Sequence, residues 1–363
     1  MRLISVVGAR PQFVKLAPIA AAAEKRGVDH IIVHTGQHYD HRMSDVFFQG
    51  LSIPAPTVNL DVGSGSHAAQ TGAMMTGLER EFGRFEPDCV LVYGDTNSTL
   101  AAALAAVKIH VPVAHLEAGL RSHNRAMPEE HNRVLSDHAS DLLLAPTEAA
   151  VENLGNEGLA ERTVLTGDVM TDVCLATAQG ADSAAVAAAL GVVPGEYVLS
   201  TIHRAETTDD PARLAAVVDK LATSPLPVVL PVHPRLRAKA EQAGVALDRG
   251  SLRLVEPLGY ADMVAAVSGA RSVVTDSGGL QKECFLLDTP CITVRTETEW
   301  GETLTGEWNV LVPDASSVST SQWESLLTRT PDPAVREGYF PYGKGDAAVA
   351  SVEAIDRFVR SRR

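Results

Sequence analysis

Short apolar segments rich in β-branched residues alternate with longer amphipathic or alanine-rich segments along most of the chain. Apolar runs of four to six residues are typical of buried parallel strands, whereas apolar positions three or four apart predict helices. In the first half, the predicted strands are Leu3–Val7, Ile31–Thr35, Val90–Tyr93, Val113–Leu116 and Leu142–Ala145. The predicted helices are Val14–Arg26, His67–Phe82, Thr96–Ile109 and Glu129–Ser140.

The same alternation starts again in the second half of the chain. The predicted strands there are Tyr197–Thr201, Val228–Pro231, Leu252–Val255, Val273–Thr275 and Cys291–Val294. Helices are predicted at Ala212–Ala222, Arg235–Ala243, Tyr260–Ser268 and Leu280–Leu287. Repeated βα units with right-handed crossovers predict two Rossmann-like, doubly wound α/β domains that face a cleft. We expect the domains to span residues 1–170 and 171–345, with an amphipathic C-terminal helix in 346–363 that packs back on the N-terminal domain.

Length and charge limit the classes of function. A chain of 363 residues is too long for one ordinary core, which agrees with two domains. The net charge of −14 argues against nucleic acid or an anionic membrane as the main partner. No apolar stretch approaches the ~20 residues of a membrane span, and the start of the chain lacks the pattern of a signal peptide. The four cysteines have no metal-binding spacing, so we expect free buried thiols, no metal site and a cytoplasmic location.

The first predicted strand leads directly into G-A-R-P-Q-F-V-K at Gly8–Lys15. Glycine permits a tight turn, and proline suits the first turn of a helix. Arg10 and Lys15 can then reach the end of the sheet, or they can simply be solvated. The segment is not G-x-G-x-x-G, so it contains no dinucleotide fingerprint.

Acidic residues follow two neighbouring strands. Asp95 lies in G-D-T at Gly94–Thr96, where either Asp95 or Thr96 could cap the next helix. Glu117 lies in H-L-E-A-G-L-R, where no cap is needed, so a functional interpretation is favoured. Glu129 and Glu130 follow Pro128 at a helix start, and taken alone they are interpreted as surface charges that complement the helix dipole.

The second half ends its strands with basic residues and glycines. His203 and Arg204 follow one strand, and His233 follows the next. T-D-S-G-G at Thr275–Gly279 opens a helix, where Asp276 or Ser277 can act as cap. Two glycines at a helix start cost roughly 1 kcal/mol each against alanine, which favours a phosphate-binding interpretation over simple packing.

Taken together, these segments resemble the non-hydrolysing UDP-N-acetylglucosamine 2-epimerase family, which has the two-domain glycosyltransferase type B fold. The resemblance runs from Gly8 to Tyr342. It rests on ordered motifs that include T-G-Q-H at Thr35–His38, P-E-E-x-N-R at Pro128–Arg133 and T-D-S-G-G-x-Q-x-E.

The resemblance implies a role for each matching position. Asp95, Glu117 and Glu129 correspond to acid/base carboxylates. The residues that correspond to substrate and diphosphate contacts are Arg10, Lys15, Glu130, Arg133, His203, Arg204 and His233, with His203 also counted as catalytic. Ser277, Gly278 and Gly279 match a phosphate-binding turn, and Glu283 matches an acceptor for ribose hydroxyls. The resemblance further implies a UDP-sugar substrate, a homodimer, and no requirement for NAD or metal.

The family chemistry implied is epimerisation at C2 by elimination of UDP and its re-addition. Three alternatives stay open on the sequence: a diacetamido-uronic sugar as substrate, a hydrolysing epimerase, and a non-catalytic sensor of nucleotide sugars. The stretch Glu297–Glu302 and Met263 depart from the pattern of many relatives, and the E-W pair at Glu299–Trp300 is similar to relatives that act on diacetamido-uronic sugars. The Q-H segment differs in length from relatives that bind a second substrate molecule as activator.

Overall fold

The computed structural model describes residues 1–37 and 53–362, with the side chain of Arg10 excepted. The chain forms two compact units. Unit 1 comprises Met1–Val173 and Phe340–Arg363, and unit 2 comprises Cys174–Tyr339. Unit 2 is therefore inserted between two segments of unit 1.

Unit 1 contains a seven-stranded sheet in the order β3-β2-β1-β4-β5-β6-β7, in which every pair is parallel. The strands are β1 Arg2–Val7, β2 Asp29–His34, β3 Val58–Asn59, β4 Cys89–Tyr93, β5 Val113–Leu116, β6 Leu142–Ala145 and β7 Thr163–Leu165. Its helices are α1 Arg10–Lys25, α2 His67–Phe85, α3 Asn97–Lys108, α4 Pro128–Ala139 and α5 Glu148–Asn156. The helix α6 Val169–Gly180 leads into unit 2.

Unit 2 contains a second parallel sheet, of six strands, in the order β10-β9-β8-β11-β12-β13. The strands are β8 Val198–Thr201, β9 Val228–Pro231, β10 Leu252–Val255, β11 Ser272–Thr275, β12 Cys291–Thr293 and β13 Asn309–Leu311. Its helices are α7 Ser183–Ala189, α8 Ala205–Thr208, α9 Pro211–Ala222, α10 Pro234–Ala243, α11 Tyr260–Gly269, α12 Gly278–Leu286 and α13 Thr320–Thr328. Short 3₁₀ segments lie at Ala160–Arg162, Gly301–Glu307, Ala315–Ser317 and Pro333–Arg336.

Both sheets are buried on their two faces. Along β1, Leu3 belongs to one apolar cluster and Ile4 to another, because successive side chains of a strand point to opposite faces. Val198 and Leu199 of β8 divide in the same way in unit 2. The prediction of two doubly wound parallel sheets is confirmed.

The C-terminal helix α14, Ala347–Ser361, belongs to unit 1 and packs on α1. Val352 and Ile355 are fully buried in the same cluster as Leu16 of α1. The main-chain N–H groups of Ala347 and Ala348 donate to the Asp172 carboxylate at 3.0 and 2.8 Å. These donors would otherwise be unsatisfied at the helix start. Asp172 therefore fixes the start of α14 within unit 1.

One expectation from composition is met by the cysteines. Cys89, Cys174, Cys284 and Cys291 are free and buried, as predicted. Within the described ranges, no helix combines the length and apolarity required to cross a membrane.

Candidate active site

The carboxyl ends of β4 and β5 bring two acidic turns together in unit 1. Tyr93 pairs with Leu116, so Asp95 and Glu117 leave neighbouring strands at the same edge. Glu117 has a φ of 69°, a left-handed conformation that costs a residue other than glycine about 1–2 kcal/mol. The N–H groups of Glu117 and Ala118 both donate to the Leu144 carbonyl at 3.1 Å. Backbone strain of this kind is found preferentially at functional sites.

Lys15 of α1 donates a hydrogen bond to the Glu117 carboxylate. The two side chains are only 13% and 15% exposed. Burial disfavours the ammonium, but the carboxylates of Glu117, Asp168 and Asp95 outweigh burial and raise the pKa of Lys15. A Cβ at Gly94 would lie 3.2 Å from the Glu117 Oε2, so a glycine there leaves room for the ion pair.

The turn that carries Asp95 is fixed from α4. The Asn132 side chain donates to the Asp95 carbonyl at 2.9 Å, and Arg133 pairs with the Asp95 carboxylate. Thr96 acts as the N-cap of α3 and accepts from the Thr99 N–H. Because Thr96 fulfils the capping role, Asp95 retains its carboxylate for other partners.

Glu130 is buried, which corrects its interpretation as a surface charge. Its carboxylate accepts from the N–H and hydroxyl of Ser122, from the His123 N–H, and from Arg133 at 2.7 Å. Burial raises the pKa of Glu130, but these donors outweigh burial and lower it to about 2. Glu129, its neighbour in the first turn of α4, is exposed. Glu130 therefore anchors the loop before α4, while Glu129 is open to solvent.

Unit 2 has a cavity at the carboxyl ends of its own strands. Thr201 of β8 pairs with Thr275 of β11, and strand order reverses between these strands. Ligands of open α/β sheets bind at such a reversal, outside the carboxyl ends of the strands. The cavity has a volume of about 390 Å³, and its lining includes His203, His233, Tyr260, Met263, Ser277, Gly279 and Glu283.

A buried aspartate, Asp276, holds the backbone of two basic residues beside this cavity. Asp276 accepts from the N–H groups of His203, at 3.1 Å, and Arg204, at 2.9 Å. It does not cap α12, contrary to one of the two options from sequence, because Ser277 caps that helix through the Leu280 N–H. The pKa of His203 is lowered by burial and by the nearby His233 and Arg204, against the opposing effect of Asp276. The His203 and His233 rings lie 5.7 Å apart.

The two glycines at the start of α12 differ in their surroundings. A Cβ at Gly278 would meet the Glu299 carboxylate at 2.5 Å, whereas one at Gly279 would come no closer than 3.9 Å to its nearest neighbour. Gly279 is exposed and lines the cavity, so the helix N-terminus is open there to a ligand. Backbone N–H groups at such a terminus favour anionic oxygens.

Glu283, one turn further along α12, also lines the cavity. Burial raises the pKa of its carboxyl against the effect of the Tyr260 hydroxyl and the Lys282 ammonium. Tyr260 was not singled out from sequence, since an aromatic residue at a helix start is usually part of the core.

One expected substrate contact falls outside the described part of the chain, namely the side chain of Arg10, whose backbone begins α1. His38 of the T-G-Q-H motif also lies outside it. In residues 1–37 and 53–362, no cluster of three His, Cys, Asp or Glu side chains is suited to a metal ion.

Comparison with known proteins identifies this class of α/β protein. The family model for UDP-N-acetylglucosamine 2-epimerase matches residues 20–356. The chain is 44% identical, over 98% of its length and 99% of the relative, to UDP-2,3-diacetamido-2,3-dideoxy-D-glucuronate 2-epimerase of Pseudomonas aeruginosa. The chain belongs to the UDP-N-acetylglucosamine 2-epimerase family, whose members are isomerases.

Solved structures agree with this assignment. UDP-GlcNAc 2-epimerase from Methanocaldococcus jannaschii superposes with a TM-score of 0.85 at 34% identity, covering 98% of this chain and 100% of that protein. Its complex with UDP-GlcNAc and UDP superposes with a TM-score of 0.76 at 36% identity and the same coverage. The glycosyltransferase type B-like fold implied by the motifs is thus confirmed.

Proposed function

We propose that this protein converts UDP-N-acetylglucosamine to UDP-N-acetylmannosamine without hydrolysis. The proposal rests on the presence of two kinds of site in one member of this family. Unit 1 presents Asp95 and Glu117 at adjacent strand ends, and unit 2 presents a cavity at a helix N-terminus. The first suits proton transfer at a sugar, and the second suits a nucleoside diphosphate.

The chemistry explains why carboxylates and a diphosphate site are both needed. The C2 proton is not next to a carbonyl, so its direct removal would leave an unstabilised carbanion. When the C1–O bond breaks, its electron pair leaves with UDP, the C2 proton moves to a carboxylate, and the C2–H electrons form a C1=C2 bond. Protonation of C2 from the opposite face and re-addition of a UDP oxygen to C1 give the manno epimer.

The roles follow from the residue types and their positions. Asp95, Glu117 and Glu129 supply acid and base groups on unit 1. Lys15, Arg10 and Arg204 supply positive charge for the departing diphosphate, and His203 and the turn Ser277–Gly279 supply hydrogen-bond donors. Glu283 is suited to accept from ribose hydroxyls. Glu130, Arg133 and His233 complete the proposed substrate-contact set, although Glu130 and Arg133 also hold each other and Asp95 in place.

A UDP-diacetamido-uronic sugar is a second candidate substrate. It is favoured by the 44% identity to the Pseudomonas aeruginosa enzyme, which exceeds the 34% and 36% found with the two Methanocaldococcus jannaschii structures. Two alternatives remain: a hydrolysing epimerase, which would release N-acetylmannosamine and UDP through the same glycal, and a non-catalytic sensor of nucleotide sugars.

Incubation with each UDP-sugar in D₂O, followed by proton NMR and mass spectrometry, tests the proposal. A manno product with deuterium at C2 and UDP still attached is the expected result for UDP-N-acetylglucosamine. Turnover of the diacetamido-uronic sugar alone would move the assignment to the second candidate. Free N-acetylmannosamine with UDP would make the enzyme a hydrolysing one.

We further propose a cytoplasmic homodimer. Four free buried thiols suit a reducing compartment. Met127, directly before α4, and Leu135 of α4 expose apolar area. Sedimentation velocity of the purified protein, with a dimer mass of twice 38.5 kDa expected, tests the oligomeric state.

A further inference from the structure

The buried side chain of His115 connects the two acidic turns of unit 1. On β5, its Nε2 lies 2.7 Å from the Gly94 carbonyl oxygen and its Nδ1 lies 2.6 Å from the Asp137 Oδ1. A carbonyl oxygen only accepts hydrogen bonds, and so does an ionised carboxylate. Each ring nitrogen therefore faces an acceptor, and donation to both requires a proton on both nitrogens. The side chain has no exposed surface.

The second oxygen of Asp137 holds the other turn. Its Oδ2 accepts from the Gly119 N–H at 3.1 Å and from the Arg121 guanidinium at 2.7 Å. Gly119 has a φ of 85°, and a Cβ there would lie 2.4 Å from the Ala150 carbonyl oxygen. The backbone two residues after Glu117 is therefore fixed by a hydrogen bond on one side and by close packing on the other.

Burial of the ionic side chains of His115, Asp137 and Arg121 costs free energy. His115 and Asp137 are fully buried and the Arg121 side chain is 3% exposed, and the row of alternating charges continues to Glu157. Apolar residues of similar shape are often as stabilising as a buried ion group, so stability alone does not account for it. What the ionic groups add is hydrogen bonds of fixed direction to the backbone beside Asp95 and Glu117.

We propose that His115 and Asp137 are positioning residues that set the separation and orientation of the Asp95 and Glu117 carboxylates. His115 holds the carbonyl of Gly94, which forms the peptide to Asp95. Asp137 holds Gly119 and keeps the Glu117 turn in its left-handed form. The inference rests on the proposed function, because it assigns the geometry of the acids that would exchange the C2 proton.

Two substitutions at position 115 separate the two hydrogen bonds. The amide nitrogen of asparagine replaces Nδ1, so His115→Asn keeps the bond to Asp137 and loses the bond to Gly94. The amide nitrogen of glutamine replaces Nε2, so His115→Gln keeps the donor to Gly94. Asp172→Asn is the matched control, since it weakens a partly buried carboxylate of unit 1 that holds α14 and not the acidic turns.

We expect kcat of His115→Asn to fall on the order of 100-fold, the scale of a small misplacement of catalytic groups. Its KM and its affinity for UDP should change less than about twofold, and His115→Gln should recover most of the loss. Asp172→Asn should keep the wild-type kcat whatever its melting temperature. A wild-type kcat in His115→Asn, or an equal loss in all three variants, would overturn the inference.

A second measurement does not depend on turnover. In protein labelled with ¹⁵N-histidine, the resonances of His115, assigned by their loss in His115→Gln, should show a proton on both ring nitrogens at neutral pH. A neutral tautomer would overturn the inference even if the asparagine variant does not fold. If the wild-type protein turns over neither UDP-sugar, the proposed function fails, while the imidazolium remains directly testable.

Discussion

Lys15 and Glu117 form an ion pair between the first helix of unit 1 and the turn that follows its fifth strand. The carboxylate that the family resemblance assigns to proton transfer is thus held by a cation from a residue that the same resemblance assigns to diphosphate binding. Since the pKa of Lys15 is raised, its ammonium stays charged beside the Glu117 carboxylate at neutral pH.

Replacement of Glu117 by glutamine should abolish most turnover without loss of nucleotide binding. The amide can still accept from Lys15, but it cannot exchange a proton, so kcat should fall by at least ~100-fold. The affinity for UDP, measured by calorimetry, should stay near wild type because the cavity lies in unit 2. Glu148→Gln, an exposed helix-start position in unit 1, is the control. Near-normal turnover of Glu117→Gln would remove this carboxylate from the mechanism.

Replacement of Gly279 by alanine should weaken UDP binding by about tenfold or more while the melting temperature is maintained. The new methyl group meets no protein atom closer than 3.9 Å, and it extends where a phosphate would approach the helix terminus. Gly278→Ala is the comparison, since its Cβ would displace the Glu299 carboxylate, which pairs with Arg295 at 2.7 Å. Unchanged UDP affinity in Gly279→Ala would place the diphosphate elsewhere.

The pKa of His203 should move in opposite directions in two variants. Asp276→Asn removes a carboxylate that favours the imidazolium, so the pKa should fall further below 6.5. His233→Asn removes a neighbouring imidazole and keeps a good helix cap, so the pKa should rise. Proton NMR titration of the His203 ring measures both values. Shifts of the same sign in the two variants would contradict the electrostatic account.

Glu130→Gln should destabilise the protein more at pH 7 than at pH 3. The folded-state pKa of about 2 lies below the ordinary 4.5, so the ionised form contributes stability that is present above pH 4.5 and lost as the pH falls towards 2. At neutral pH this contribution is on the order of 3 kcal/mol. Urea unfolding at both pH values measures it, with the exposed Glu129→Gln as control. If the free energies of unfolding of wild type and Glu130→Gln differed by the same amount at both pH values, the hydrogen-bond donors would not act through the charge of the Glu130 carboxylate.

The sequence predicted the regular elements well, and its errors have local causes. Helix α1 begins at Arg10 rather than Val14, because the Gln12 side chain accepts from the N–H groups of Gly8 and Ala9 and so starts the helix early. The short strands β3, β7 and β13 were not predicted. They lie towards the sheet edges, and β7 has no fully buried residue, so no apolar run marks it.

The sequence predicted which residues lie at the strand ends of the candidate site, but not the residues that hold them in place. Acids and glycines at strand ends can be recognised in a sequence, because the parallel topology alone places the ends of the strands at one edge of the sheet. The partner of His115 is not, because Asp137 lies in a polar stretch of α4 that is typical of a solvent-exposed helix face. Glu130 was assigned to the surface for the same reason, although the loop before α4 folds over it.

Because unit 2 is inserted in unit 1, the chain could be divided where it leaves and re-enters unit 1. The Asp168 N–H donates to the Tyr342 carbonyl at 3.0 Å, so the chain leaves unit 1 and returns to it at neighbouring points. A few-residue linker from 173 to 340 could therefore replace the whole insertion and leave the sheet, α1 and α14 intact. The engineered single-unit protein would carry Asp95, Glu117 and Glu129 without the cavity. Expressed beside a separate 174–339 fragment, it would allow proton-transfer groups and nucleotide affinity to be altered in independent polypeptides.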